Sequence, residues 1–134
     1  MFPSANGSPE QKILPPQPMK LAIVDLRNVP EQACDEELRK RIEEEGCRPF
    51  SLQHGPLFRA VLLRLAENDQ VLILTMHHIV SDRWSKWILA HELESLYEAF
   101  CAGHPSPLSE PPIQYADFAQ WQHERLRGAF RGVA

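Results

Sequence analysis

Three aliphatic runs divide the chain into predicted strands. Residues 21–26, 57–65 and 71–76 are short, rich in Leu, Ile and Val, and have the length of strands buried in a sheet. The polar residues Glu67, Asn68 and Asp69 separate the last two runs and predict a hairpin. Strands this apolar need cover on at least one face. We therefore expect a mixed sheet packed against helices.

A helix is predicted between the first two runs. Pro30 suits the first position of a helix, where its missing N–H has no consequence. Cys34, Leu38 and Ile42 then recur every four residues and give a helix over about 31–46 one thin apolar stripe. Charged residues occupy its other positions, so we expect that surface to face water.

Two more helices are predicted after the hairpin. The first has apolar residues at helical spacing, namely Leu89, Leu93, Leu96, Tyr97 and Phe100. It is expected over about 83–102, ending before Gly103. Phe118 and Trp121 place the second over about 115–126. With helices 31–46 and 83–102 packed on the sheet, the fold class is α/β, in an α+β sandwich-like arrangement.

Prolines mark two connecting segments. The 12 prolines of the chain gather mainly in residues 3–18 and 105–112. The first segment contains the turn-like pair Asn6-Gly7 and a short strand candidate, Gln11–Leu14. So many prolines argue against a self-sufficient element, and we expect residues 1–20 to be an edge or a remnant.

Composition and charge narrow the class of protein. The 134 residues are 43% hydrophobic, which is enough for the core of one ordinary domain. With 14 Lys and Arg against 18 Asp and Glu, the net charge is -4, so neither nucleic acid nor an anionic membrane is an expected partner. No apolar run is long enough to cross a bilayer. The three cysteines form no CxxC pair, which argues against a disulfide framework or a zinc knuckle and favours the cytoplasm.

The candidate chemistry lies in residues 77–82. His77, His78 and Asp82 follow directly on the most apolar strand. Neighbours in a strand point to opposite faces, so only one histidine can line a pocket, and no metal site is expected. In one interpretation a histidine bonds to the backbone while Ser81 or Asp82 caps the helix that begins near Trp84. In the other, neutral His78 accepts a proton at a cleft and Asp82 holds the loop in shape.

The segment 77–82 (HHIVSD) resembles the HHxxxDG signature of the condensation domains of nonribosomal peptide synthetases, whose superfamily includes chloramphenicol acetyltransferase. Five further blocks resemble the family in order and spacing: Ile13–Pro16, Val24–Leu26, Arg48–Leu52, Gly55–Ala60 and Pro112–Ala119. Six blocks in register are far more specific than one His-His pair. The resemblance implies the N-terminal lobe of a chloramphenicol acetyltransferase-like fold.

The resemblance also implies a reaction. An acyl or peptidyl thioester on one carrier protein's phosphopantetheine arm is attacked by the amine of an aminoacyl thioester on another, and an amide forms. In the family pattern His78 is the catalytic base or amine-positioning residue, whereas His77 and Asp82 are structural. The chain itself is expected to bind no cofactor and no metal. Carrier proteins and neighbouring synthetase modules are the implied partners.

Two departures from the family leave alternatives open. Arg83 stands where the motif usually has Gly, and its side chain either crowds and recharges the site or points outward harmlessly. The family's domains have two lobes, whereas residues 1–134 are expected to form a partial domain that lacks the first elements and the C-terminal lobe. The alternatives to a condensation catalyst are a noncatalytic remnant or docking module and a small chloramphenicol acetyltransferase-like acyltransferase.

Overall fold

A computed structural model describes residues 1–5, 7–15 and 18–130. Two very short strands, β1 and β2, open the chain and pair antiparallel. The elements in chain order are β1 (Ser4–Ala5), β2 (Ser8–Pro9), β3 (Ala22–Asp25), α1 (Glu31–Cys47), β4 (Phe58–Arg64), β5 (Gln70–Met76), α2 (Arg83–Cys101) and α3 (Tyr115–Phe130). The predicted helices and the three predicted aliphatic strands are therefore all present.

The central feature is a three-stranded sheet in the order β3-β4-β5. β3 runs parallel to β4, with Ile23 opposite Leu62. β4 and β5 form the predicted antiparallel hairpin, with Arg59 opposite Thr75. One parallel and one antiparallel pairing make a mixed sheet, as predicted. The connection between the parallel strands contains α1, which is the usual form of a parallel crossover.

The core lies between one face of this sheet and α1. Leu26, Val61 and Leu63 form its centre, and Leu63 is fully buried. Leu38 from α1 packs against this cluster, as its place in the apolar stripe predicted. Ile42, one turn further along, is 47% exposed, so that part of the predicted stripe is wrong. Among the described residues, this sheet has three strands. Helix α1 covers one face of the sheet around Leu38.

Residues 1–85 and 86–134 form two compact units. In the second unit, Gly103 adopts a φ of 74°, and the His104 amide donates to the Ala99 carbonyl at 2.8 Å. This left-handed glycine ends α2 where the sequence predicted. Leu96 is half-buried, whereas Phe100 is 60% exposed. The packing of α2 on the sheet stays a prediction.

Two details of the opening segment differ from expectation or cannot be compared with it. The strand candidate Gln11–Leu14 is wrong, because its residues form no strand and the pairing lies earlier, between β1 and β2. Asn6 and Pro16, which belong to the predicted turn and to the first family block, lie outside the described residues.

Candidate functional site

The candidate site is a tight turn at the end of β5. The ladder of the hairpin continues one step beyond Met76, where the His77 amide donates to the Leu57 carbonyl at 3.0 Å. The His77 carbonyl then accepts from the Val80 amide at 3.0 Å and from the Ser81 hydroxyl at 3.2 Å. Ser81 is buried, so its hydroxyl needs this acceptor. The backbone of the turn is thus held at both ends.

The His77 side chain adds a further hydrogen bond that stabilises the turn. Its Nδ1 accepts a hydrogen bond from the Ile79 amide at 3.0 Å. Because a backbone amide can only donate, Nδ1 is the unprotonated nitrogen of the ring. The half-buried imidazole also meets Phe50 edge to face, with ring centroids 5.9 Å apart and an interplanar angle of 88°. The ring of His77 therefore both packs against Phe50 and accepts a hydrogen bond within the turn.

His78 occupies the first central position of the same turn. Its side chain is exposed, and within the described parts of the chain no hydrogen bond to its imidazole is recorded. The two histidines are separated by this turn and not by strand alternation, since β5 ends at Met76. The His77 imidazole is therefore bonded within the turn, whereas the His78 imidazole is exposed.

Asp82 connects the turn to α2 through a reciprocal cap. The Ser85 amide donates to Asp82 Oδ1 at 2.7 Å, and the Asp82 amide donates to Ser85 Oγ at 2.8 Å. This is the geometry of a capping box, in which two otherwise unsatisfied amides at the start of a helix are paired. The amide of Ser85 bonds to the charged carboxylate and, with the Ser85 hydroxyl, lowers the pKa of Asp82.

Removal of the Asp82 cap is expected to destabilise the start of α2. Asp82→Ala should lower the melting temperature at neutral pH by roughly 2 to 8 °C, the usual size of a lost N-cap in a domain this small. Because the folded pKa is lowered, the carboxylate stabilises the fold fully above about pH 4 and loses that effect as the pH falls through the folded pKa. The melting difference, measured by circular dichroism, should therefore shrink in acid.

Asp82→Asn is the matched control for the cap. It keeps the oxygen that accepts from Ser85 but has no titratable charge, and Asn is as good an N-cap residue as Asp. It should melt close to the parent chain at neutral pH and should lose the acid dependence that Asp82 confers. An Asp82→Ala chain that melts like the parent at every pH would show that the cap contributes nothing.

Arg83 and Arg59 differ in exposure and in their hydrogen bonds. Arg83 is the first residue of α2 and its side chain is exposed. Arg59, on β4, donates to the carbonyls of Glu45 and Arg48 at 3.1 and 2.8 Å. The carboxylate of Asp82 accepts from the Ser85 amide in the helix cap.

Sequence reasoning gave no role to Ser85 or Phe50, and it offered Ser81 only as a helix cap, whereas the Ser81 hydroxyl donates to the His77 carbonyl. Ser85 is signalled by its place three residues after Asp82, the spacing of a capping box. Ser81 is signalled only by its position within the motif, and Phe50 only by its place in a family block. The contact of Phe50 with His77 joins residues 27 positions apart, and no local pattern reports it.

No metal centre or membrane span is found in the described part of the chain. Within it, His, Cys, Asp and Glu side chains form no group of three that could hold a metal ion. None of its helices is both long enough and apolar enough to span a bilayer. A groove of about 800 Å³ lies beside β4, lined by residues that include Met19, Arg59 and Val80, and neither motif histidine lines it.

A mixed sheet with a crossover helix, ending in a His-His turn that is capped onto a long helix, defines an α/β fold. The sequence matches the family model of the condensation domain over residues 1–130. The chain belongs to the condensation domain family. The resemblance drawn from six sequence blocks is therefore confirmed.

Curated relatives are peptide synthetases that are much longer than this chain. Chondramide synthase from Chondromyces crocatus is 50% identical over 118 residues, covering 88% of this chain and 3% of that protein. Malpinin synthetase from Mortierella alpina is 44% identical over 128 residues, covering 96% of this chain and 2% of that protein. The chain thus spans only a few per cent of these synthetases.

Solved structures share the fold. SgcC5 from Streptomyces globisporus has a TM-score of 0.75 at 33% identity, covering 94% of this chain and 28% of that one. The X-domain from teicoplanin biosynthesis has a TM-score of 0.78 at 26% identity, covering 99% of this chain and 28% of that one. The prediction of an α/β condensation-type fold is confirmed.

Proposed function

We propose that this chain contributes the histidine-bearing lobe of a condensation domain that forms amide bonds in nonribosomal peptide synthesis. The reaction joins an acyl or peptidyl thioester to the amine of an aminoacyl thioester, each held on the phosphopantetheine arm of a carrier protein. The observation that carries the proposal is the exposed imidazole of His78 on a turn fixed by His77 and Ser81. Family membership supports the same reaction class.

The reaction needs a group that accepts a proton at the right place. The amine nitrogen attacks the thioester carbonyl, the C–N bond forms, and the C–S bond breaks to release the donor's thiol. The attacking amine loses a proton in this step, and we assign its acceptance or its orientation to His78. The other groups have supporting parts in the proposal: His77 holds the turn and Asp82 caps α2. A positioned base of this kind contributes about 10² to 10⁴ in rate.

The proposed domain extends beyond this sequence. Because the chain covers 28% of SgcC5 and of the X-domain, a second lobe is proposed to complete the substrate tunnel. Carrier proteins and adjacent synthetase modules are the proposed partners, and the cytoplasm is the proposed location. The phosphopantetheine arms belong to the carriers, so this lobe itself is proposed to hold no cofactor.

A docking module is the second candidate. The X-domain from teicoplanin biosynthesis, in its complex with OxyB, matches with a TM-score of 0.76 at 27% identity over 96% of this chain. A domain of this fold has therefore been solved bound to another protein. Arg83 at the start of α2 is an exposed cation beside the candidate site, and it is available for such a contact.

A hybrid domain tests the proposal. Residues 1–134 would replace the matching segment in a complete condensation domain of chondramide synthase, and the hybrid would be mixed with loaded donor and acceptor carrier proteins. Dipeptidyl carrier, detected by intact-mass spectrometry, is the expected product. The unaltered chondramide synthase domain serves as the positive control. A folded hybrid that forms no product while the control does would favour the docking module.

A further inference from the structure

The guanidinium of Arg59 lies where α1, the following loop and the hairpin meet. Arg59 is on β4, and its side chain is only 13% exposed. Nη2 donates to the carbonyls of Glu45 and Arg48 at 3.1 and 2.8 Å, and Nη1 donates to that of Pro49 at 3.3 Å. One side chain therefore donates to three carbonyls at and just after the end of α1.

One of these three carbonyls lies in the last turn of α1. The helix ends at Cys47, so the Glu45 carbonyl belongs to its last turn and has no amide within the helix to accept from. Arg59 supplies the missing donor from the neighbouring strand. Its Nε also lies 3.4 Å from Glu45 Oε2, an ion pair between two largely buried groups. Neither of those two atoms has a hydrogen-bond partner among the described residues, so the ion pair compensates their burial.

The face of the guanidinium lies over the Phe50 ring. The central carbon of Arg59 lies 3.8 Å from the centroid of the Phe50 ring, a close cation–π contact. Phe50 in turn contacts the ring of His77 edge to face. Phe50 thus lies between the guanidinium of Arg59, which is bonded to three carbonyls, and the ring of His77, which accepts a hydrogen bond within the turn.

These contacts lead from Arg59 through Phe50 and His77 to the turn that bears His78, the candidate base. His77 accepts from the Ile79 amide through Nδ1, and His78 stands between those two residues. A change in the tilt of the His77 ring moves Nδ1 away from the Ile79 amide, because the acceptor direction lies in the plane of the ring. The ring of Phe50 contacts the ring of His77, and the guanidinium of Arg59 lies over the ring of Phe50, so these contacts connect Arg59 to the tilt of His77.

We infer that Arg59 is a positioning residue that acts on His78 through Phe50 and His77. It touches no reacting group. It holds Phe50 against His77, which keeps the Ile79 amide bonded and the His78 turn in one geometry. The inference rests on the proposed function for the role of His78, whereas the structural connection from Arg59 to the turn does not depend on it. Lys is not equivalent to Arg here, because its ammonium group lacks the rigid planar fork of donors and the flat face that stacks on a ring.

Amide hydrogen exchange of the 134-residue chain tests the structural connection. In Arg59→Lys the Ile79 amide should exchange about threefold to tenfold faster, the factor that corresponds to loss of an aromatic pair. Phe50→Leu should give the same increase while Arg59 keeps its carbonyl contacts, which separates the turn from general loss of stability. The Leu63 amide, in the centre of the sheet, serves as the internal reference. Arg64→Lys, an exposed change on the same strand, is the matched control and should alter neither amide.

Condensation kinetics of the hybrid domain test the consequence for His78. Arg59→Lys and Phe50→Leu should lower kcat and leave KM for both loaded carriers unchanged, because the turn affects the reacting geometry and not carrier binding. Unchanged exchange at Ile79 in both variants would overturn the inference, as would faster exchange with full kcat. If His78→Ala is fully active, the proposed function fails instead, and the exchange result still decides whether Arg59 holds the turn.

Discussion

His78→Ala is expected to lower the condensation rate of the hybrid domain by about 10² to 10⁴, the contribution of one positioned base. His78 is exposed, and no hydrogen bond to its imidazole occurs among the described residues, so the change is expected to remove a chemical group at little structural cost. The loss should fall on kcat, with KM for the loaded carriers little changed. Single-turnover formation of dipeptidyl carrier, followed by intact-mass spectrometry, measures it.

The matched control for His78 is the neighbouring histidine. In His77→Asn, the side-chain oxygen of Asn takes the place of Nδ1 and can still accept from the Ile79 amide. The variant loses the ring contact with Phe50, so a moderate drop in both stability and rate is expected, much smaller than the loss in His78→Ala. Equal losses in the two variants, with both proteins folded, would contradict the assignment of the base to His78.

The sequence pattern predicted the elements well because each has a strong local cause. The aliphatic runs that became β3, β4 and β5 have the length and composition of buried strands, and Gly103 supplies the positive φ that ends α2. Ile42 shows where the pattern fails. The period that buries Leu38 also points to Ile42, but the core cluster at Leu63 reaches Leu38 and not the next turn of α1.

The sequence motif named the residues of the candidate site, but it did not predict the geometry of the turn that carries them. The motif supplied His77, His78 and Asp82, and the spacing from Asp82 to Ser85 contained the cap. The path of the chain after Met76 depends on the Ser81 hydroxyl and on the Ile79 amide finding acceptors on His77, which a strand-alternation argument does not consider. Arg59 has its partners 10 to 14 positions earlier, because the sheet brings the end of α1 beside β4.

The isolated 134-residue chain is expected to form no dipeptide. Condensation requires two thioester arms to meet within about 3 to 3.5 Å at the base, so that proximity supplies a large part of the rate. The chain covers 28% of the SgcC5 structure, and its His78 is exposed to water at the end of β5. In bulk water the imidazole lacks the low-dielectric surroundings that strengthen its hydrogen bonds, and neither the amine nor the developing oxyanion is oriented.

The test is incubation of the purified chain with donor- and acceptor-loaded carrier proteins, with the hybrid domain run in parallel. Product from the hybrid and none from the isolated chain is the expected outcome, because only the hybrid contains the second lobe that is proposed to complete the substrate tunnel. His78→Ala in the isolated chain gives the background. Product above that background, at a rate that rises steeply with chain concentration, would instead show that copies of this lobe complete one another's sites. The chain would then be acting like a small oligomeric acyltransferase of the chloramphenicol acetyltransferase type, with each cleft formed between subunits.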